Sequence, residues 1–524
     1  MLSLDIASAS WRTVAVRRRR ARAILAACAT VFAFALTPTS HAIPGQPGTL
    51  DASWATLSPL GAGKLISAVG SGADMARAIA LQPDGKVVVA GYCHNGSDDD
   101  FCVARYSASG ELDTSFGGAG TVITPIGTSN DYAYAVTVQP DGKIIVAGHC
   151  WGGASYDFCL ARYSANGQLD TNFNGTGKVI TPIGTGGDRA YALALQPDGK
   201  IVVAGYCRIG STYDFCLARY SASGGLDTSF NGSGIVTTAI STGDDYARAL
   251  VLQPDGKIVV AGNCWLVGPV YGLCLARYSA SGALDPTFDA DGTVITSIAT
   301  GVDFAAAAAV ALQPDGKIIV ASACWVSTIR DFCLARYGAN GALDTSFDGD
   351  GRAVTAIGAS DDSATALALQ PDGKIVAAGL CHNGSNNDFC LARYSANGAL
   401  DASFNSTGKV ITAIGPGGAE AAAVALQPDG KIVVAGYCSN GSNNDFCVTR
   451  YDGGPFDARN CSMDLDGDGV VLATTDALIL ARVSLGMTGN AVIGNISFAA
   501  HASRQSWDDI RTYLVTQCGM VIAL

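Results

Sequence analysis

The hexapeptide Leu81-Gln82-Pro83-Asp84-Gly85-Lys86 returns, with Leu or Val in its first position, at Val138, Leu195, Leu252, Leu312, Leu369 and Leu426. The intervals are 57, 57, 57, 60, 57 and 57 residues. A period held this tightly marks a repeat architecture, each unit one supersecondary block. Each unit predicts four short strands. In the third they are the small-residue strand Tyr191-Ala-Leu-Ala-Leu195, the apolar run Ile201-Val-Val-Ala204, Phe215-Cys-Leu-Ala-Arg-Tyr220 and Ile235 to Ile240. Pro-Asp-Gly joins the first two, Pro presetting φ and Gly supplying a positive φ. An unbroken apolar run fits a strand covered on both faces.

Seven such units predict an all-β fold, a seven-bladed β-propeller of four-stranded antiparallel blades spanning 43–455. Only six units are followed by a fourth strand. The missing copy stands at the front, Leu50-Asp51 and then Gly63-Lys-Leu-Ile-Ser-Ala-Val69. The N-terminal strand is therefore expected to complete the last blade and remove the open sheet edge. Alanine suits the crowded strands nearest the axis.

Residues 1–42 read as an export signal. A basic block, Arg17 to Arg20 with Arg22, precedes the apolar run Ala23 to Leu36 and a small-residue site at Ser40-His41-Ala42. No later segment is apolar enough to span a bilayer, so the mature chain is expected to be soluble, secreted or at the cell surface, with the periplasm as the other location. Among 524 residues, 48% are apolar and 15% charged, and the net charge is -12. That balance supports a large core and argues against nucleic-acid binding, which needs clustered cations.

Fourteen cysteines form seven pairs: Cys93/Cys102, Cys150/Cys159, Cys207/Cys216, Cys264/Cys274, Cys324/Cys333, Cys381/Cys390 and Cys438/Cys447. Each pair ends a second strand and begins a third, as cross-strand neighbours about 4.5–5.5 Å apart at Cα, within disulfide range. One staple per blade would contribute about 2–3 kcal/mol. Cys461 and Cys518 are left to pair with each other.

The unit Leu-Gln-Pro-Asp-Gly-Lys-Ile-Val-Val-Ala-Gly, then Asp-Phe-Cys-Leu-Ala-Arg-Tyr, then Gly-x-Leu-Asp-Thr-Ser-Phe resembles the delta-60 repeat of secreted bacterial proteins. The resemblance covers Leu50 to Tyr451 and implies a propeller and export. It brings no accepted activity and no catalytic residues, and the cysteine pairs depart from its common pattern.

Residues 456–524 form a separate module. Asp464-Leu-Asp-Gly-Asp-Gly469 sets carboxylates at alternating positions, the donor pattern of a calcium loop. Asp464, Asp466 and Asp468 would ligate by side chain and Val470 by its carbonyl. Asp476 ligates if the loop bulges, or caps the following helix. The stretch to Gly486 resembles one dockerin repeat, whereas dockerins carry two, which puts a cohesin-type partner in doubt.

No hydrolase, zinc-protease, P-loop or dinucleotide motif is present. His94, His149 and His382 flank cysteines and read as solvated loop residues. The Arg and the Leu-Asp aspartate that recur once per unit read as structural ion pairs or turn caps. Asn-Gly-Ser at 95, 383 and 440 matches a glycosylation acceptor and equally a hairpin turn.

Variation concentrates in the loop between the paired cysteines, on one face, where Asp131, Asp188, Asp245 and Asp303 also start innermost strands. Trp151, Trp265 and Trp325 in those loops either stack sugar rings or pack over their own disulfides. The expected function is a non-enzymatic binding propeller for a glycan or protein ligand, with calcium in its C-terminal module. The alternative is a polysaccharide lyase or glycosidase working from the variable face.

Overall fold

The computed structural model describes residues 46–454, apart from 269, 298–305 and 327, together with 479, 506, 507 and 509–511. The export signal and the calcium residues Asp464, Asp466, Asp468, Val470 and Asp476 lie outside the described residues, as do Cys461 and Cys518. Among the described residues no helix is long and apolar enough to cross a membrane.

The strands form seven four-stranded antiparallel sheets, six of them assembled in chain order from the channel outward. The first contains Asp74–Leu81, Val87–His94, Asp99–Tyr106 and Thr121–Thr124. The last takes Ala419–Leu426, Ile432–Ser439 and Asn444–Tyr451, and is completed by Lys64–Ser67 from the N-terminus, with Ile66 opposite Cys447. Closure by the front strand follows the sequence expectation. The Pro-Asp-Gly turns carry the predicted geometry: Gly85 has φ +82° and its N–H donates to the Gln82 carbonyl at 3.0 Å.

The core is divided into seven clusters, one in each gap between neighbouring blades. Between the first two, Val88, Ala90, Phe101 and Val103 meet Ile144, Val146, Ala161 and Tyr163, all fully buried. This is why the second and third strands carry unbroken apolar runs: each of their faces belongs to a different interface. The Tyr that ends each third strand crosses such a gap. Tyr163 donates to Thr124 of the preceding blade at 2.8 Å, and Tyr220 to Thr181 at 2.8 Å.

A ring of ion pairs stitches the blades together on the Pro-Asp-Gly face. The recurring Arg bonds the recurring Asp through Nε: Arg105–Asp113, Arg162–Asp170, Arg219–Asp227, Arg277–Asp285, Arg336–Asp344 and Arg393–Asp401, at 2.8–2.9 Å. Its Nη1 reaches into the next blade, as in Arg162 to the Ala222 carbonyl (2.6 Å) and Arg219 to that of Ala280 (2.5 Å). The guanidinium also covers a buried phenylalanine, Arg162 over Phe173 at 4.5 Å for example. The last blade borrows its partners from the chain's front: Arg450 bonds Asp51, covers Trp54 and donates to the Ala108 carbonyl of the first blade.

All seven expected cysteine pairs are disulfides, Cys93–Cys102, Cys150–Cys159, Cys207–Cys216, Cys264–Cys274, Cys324–Cys333, Cys381–Cys390 and Cys438–Cys447, each with Cα atoms 5.8 Å apart. The register corrects one part of the expectation: the paired cysteines do not stand directly opposite one another. In the first blade Cys93 faces Asp100 and Cys102 faces Gly91, so the bond runs along a diagonal two residues long. The other blades repeat the offset. Cys159 faces Gly148, Cys216 faces Gly205, Cys274 faces Gly262, Cys333 faces Ser322, Cys390 faces Gly379 and Cys447 faces Gly436. The fourth pair keeps this register because its extra residue is absorbed by an irregularity between Trp265 and Val267.

Asp51→Ala leaves Arg450 buried and unpaired, which costs about 3–5 kcal/mol. Asp84→Ala, which removes an exposed partner of half-buried Lys86, costs under about 1 kcal/mol. Urea unfolding of the two variants should separate them by that margin; equal losses would remove the ring from its closing role.

Candidate functional site

Every innermost strand carries a β-bulge at the same position. The register skips Arg77, Tyr134, Tyr191, Arg248, Ala308, Thr365 and Ala422, one per blade. All seven line the central channel. In six of the seven blades a glycine of the second strand lies against the bulge, and a Cβ on Gly91 would stand 1.9 Å from the Met75 carbonyl oxygen; the fifth blade carries Ser322 there. A bulge re-aims its extra side chain, here from the blade interfaces into the channel.

The channel is therefore lopsided. Blades one to four contribute Arg, Tyr, Tyr and Arg, and blades five to seven contribute Ala, Thr and Ala. Towards the disulfide face it opens into a cavity of about 300 Å³, lined by Arg77, Tyr134, Tyr191, Arg248, Glu420 and Tyr437 among others. Behind it runs a continuous belt of ring contacts. Tyr92 meets Tyr132 edge-on at 4.7 Å, Tyr134 meets Tyr191 at 4.6 Å, and Tyr191 stacks on Tyr206 at 5.5 Å. Tyr206 contacts Tyr246 at 4.8 Å, and Tyr246 contacts Tyr271 at 6.0 Å.

Three arginines are set into this belt. Arg77 lies over Tyr92, Tyr134 and Tyr437 at 5.1–5.7 Å and donates to the Tyr92 hydroxyl at 3.0 Å. Arg248 lies over Tyr191 at 4.3 Å, with Tyr206 and Tyr246 further off. Arg189 covers Tyr156 at 5.4 Å. In the last blade the Glu420 carboxylate accepts from the hydroxyl of Tyr437, whose ring lies under Arg77, and from Asn387. Burial pushes the Tyr134 and Tyr437 phenols above their ordinary range, so at neutral pH they are uncharged hydroxyls.

His149 is not the solvated loop residue that its position beside Cys150 suggested. It is 3% exposed, stacks on Tyr134 at 5.2 Å and meets Tyr156 edge-on. Burial, with Arg189 and Arg248 nearby, holds its imidazole down at about 3. The aspartates at the starts of innermost strands are also buried. Asp74, Asp131, Asp188, Asp245 and Asp362 each accept two N–H groups of the preceding loop. Asp131, for example, accepts from Ile126 (2.5 Å) and Gly127 (2.9 Å). They tie the loop to the strand and offer no carboxylate to a ligand. Asp303 lies outside the described residues.

Trp151, Trp265 and Trp325 are each half-buried at the end of their own hairpin. Trp151 meets Tyr156 edge-on, Trp265 donates to the Gly268 carbonyl at 2.7 Å, and Trp325 lies under Arg330. Among the described residues no ring contact joins them. Asn95, Asn383 and Asn440 serve their own turns, each Oδ1 accepting the N–H two residues on at 2.7–2.8 Å.

Sequence reasoning missed the belt. Its one legible signal was the bulge position, which differs between units that otherwise match; the alternation of the strands hid it.

The chain matches the profile of a domain of unknown function described as a beta-propeller, DUF5122, over residues 82–116, 139–173, 196–230, 253–288, 313–347, 370–404 and 427–453. One segment falls in each blade, and the chain is a repeat-built β-propeller. No curated protein matches it. Similar solved structures include a protein of unknown function from Dyadobacter fermentans, with 12% identity, coverage of 74% of this chain and 99% of that one, and TM-score 0.41. A catalytically inactive virginiamycin B lyase from Staphylococcus aureus with quinupristin has 11% identity, 74% and 98% coverage, and TM-score 0.44. Sqt1 of Chaetomium thermophilum bound to the N-terminus of ribosomal protein L10 has 14% identity, 74% and 98% coverage, and TM-score 0.39.

Asp131 and His149 set opposing pH dependences. Burial raises Asp131 to about 6, so its contribution is full below about pH 4 and is lost as pH rises through 6. Depressed His149 contributes fully above about pH 6.5 and loses that contribution as pH falls towards 3. Thermal melts from pH 4 to 8 should therefore show Asp131→Asn steepening the rise of stability with pH and His149→Phe flattening it. Shifts of the same sign in both variants would contradict these assignments.

Proposed function

We propose that this repeat-built propeller is a secreted binding protein whose ligand enters the channel mouth on the disulfide face. The lopsided channel carries the proposal. Seven-fold repetition makes structural residues identical in every blade, whereas the Arg-Tyr-Tyr-Arg wall occurs on one side only. Large flat phenols with hydroxyl tips provide apolar contact and hydrogen bonding at low entropic cost, and the ligand is a glycan or a protein segment. Seven disulfides are consistent with an oxidising compartment.

Binding is favoured over catalysis by what the cavity lacks. A glycosidase would need two carboxylates facing one another, and Glu420 is the one carboxylate among the described lining residues. A His–Tyr pair would need an imidazole within reach of the ligand, and His149 is sealed behind its tyrosines.

The full chain, secreted in oxidised form, should be retained by at least one member of a panel of soluble polysaccharides and bacterial cell-wall fractions. Tyr134→Ala combined with Tyr191→Ala should weaken that retention about tenfold or more, at about 0.5–1.5 kcal/mol for each ring contact plus the lost burial. Trp151→Ala should leave it within about threefold. Retention unaffected by the tyrosine pair would move the site off the channel mouth.

For the C-terminal module the proposal keeps calcium, ligated by Asp464, Asp466, Asp468, Val470 and Asp476. Calcium should protect the region after Pro455 from proteolysis in the full chain, and Asp466→Asn should abolish the protection. Protection by calcium in that variant would overturn the ligand set.

A further inference from the structure

We infer that the channel mouth is built for an acidic oligosaccharide, its carboxylates received by Arg77 and Arg248. This rests on the proposed binding role of the mouth and specifies its ligand class.

The inference begins with where this protein places its arginines. Each ring arginine is committed to an aspartate of its own unit or, for Arg450, to Asp51. Arg77 and Arg248 are different. Among the described residues neither has a carboxylate partner. Arg77 is bonded only to a phenol hydroxyl, and its Nε is buried without a partner. Arg77 is half-buried with no anion beside it, and the Tyr faces beneath it satisfy only part of its charge. The unfilled donors match the fork geometry of a carboxylate. In a chain of net charge -12, this is a local cationic wall at the end of a channel.

The surroundings favour a sugar as the carrier of the charge. Arg77 and Arg248 flank the Tyr134–Tyr191 pair, whose rings are 4.6 Å apart. Phenol faces suit the C–H faces of a pyranose ring, and their hydroxyls suit its hydroxyls. Ala308 and Ala422 leave room in the cavity, and Glu420, bonded to Tyr437, offers an acceptor for neutral hydroxyls. The mouth itself carries alanines but no larger aliphatic side chain; Ile79, Val136, Leu193 and their counterparts line the channel below it.

The test is calorimetric titration of the full oxidised chain with oligogalacturonate, the same oligomer after reduction of its carboxyl groups, and poly-glutamate. Oligogalacturonate should bind, and its reduced form should bind about 10- to 100-fold more weakly, the worth of a charge-assisted pair. Arg77→Gln and Arg248→Gln should each lose about tenfold or more towards the acidic oligomer and little towards the reduced one. Ala308→Glu, which adds a carboxylate to the small-residue wall and leaves both arginines intact, should weaken acidic binding without lowering the melting temperature. Equal binding of acidic and reduced oligomers, sensitive to Tyr134→Ala, would overturn this inference and leave the binding role standing. Poly-glutamate binding as tightly as oligogalacturonate would overturn it in favour of an acidic peptide. No binding by any probe, together with no retention on the wider panel, would remove both.

Discussion

A buried arginine bonded at once to an aspartate of its own unit and to a carbonyl of the next blade is the constraint on which the rest of the structure depends. Taking these charges out of water is expensive, and only a complete set of partners offsets the cost. Each unit must therefore carry both residues at a fixed spacing, which is why Arg and Leu-Asp recur with so little drift. The same requirement dictates closure. Eight residues after Arg450, where the other units carry the aspartate, the sequence has Ala458, and Asp51 from the front of the chain supplies the partner. Trp54 then occupies the place that phenylalanine holds beneath the other guanidiniums.

This division of labour explains where function can reside. Side chains on the two middle strands are consumed by interfaces on both faces, and the aspartates at strand starts are consumed by loop N–H groups. The bulge on each innermost strand releases one side chain per blade from those duties. Repetition makes the released positions equivalent in geometry, and their identities have diverged. Arg77 and Arg248 face the channel without carboxylate partners among the described residues, whereas Arg105 and its counterparts are fully committed. Two populations of the same residue type thus differ in role because one is paired inside the fold and the other faces solvent in a channel.

Several features are legible in the sequence. The period, the turn at Pro83-Asp84-Gly85, the pairing of Cys93 with Cys102 and the return of the N-terminal strand all depend on neighbours in sequence or on a count. The diagonal course of the disulfides is not legible there, because register decides whether Cys102 faces Cys93 or Gly91, and likewise whether Cys159 faces Cys150 or Gly148. His149 is misread for a related reason. Proximity to a loop cysteine says nothing of the tyrosines that other blades bring against it, and those contacts make it a buried neutral ring. Trp151, Trp265 and Trp325 stand out in the sequence as loop aromatics, yet the contiguous aromatic surface is made of tyrosines drawn from blades one to four.

By itself the sequence determined the number of blades, the four-strand unit, the stapled hairpins and the means of closure. These are consequences of periodicity and local chemistry, which one unit carries whole. The tertiary structure alone decided which residues share the channel mouth. Arg77, Tyr134, Tyr191 and Arg248 stand 57 residues apart and belong to four separate sheets. Only the circular stacking of blades, with a bulge turning each of these side chains inward, makes them one surface.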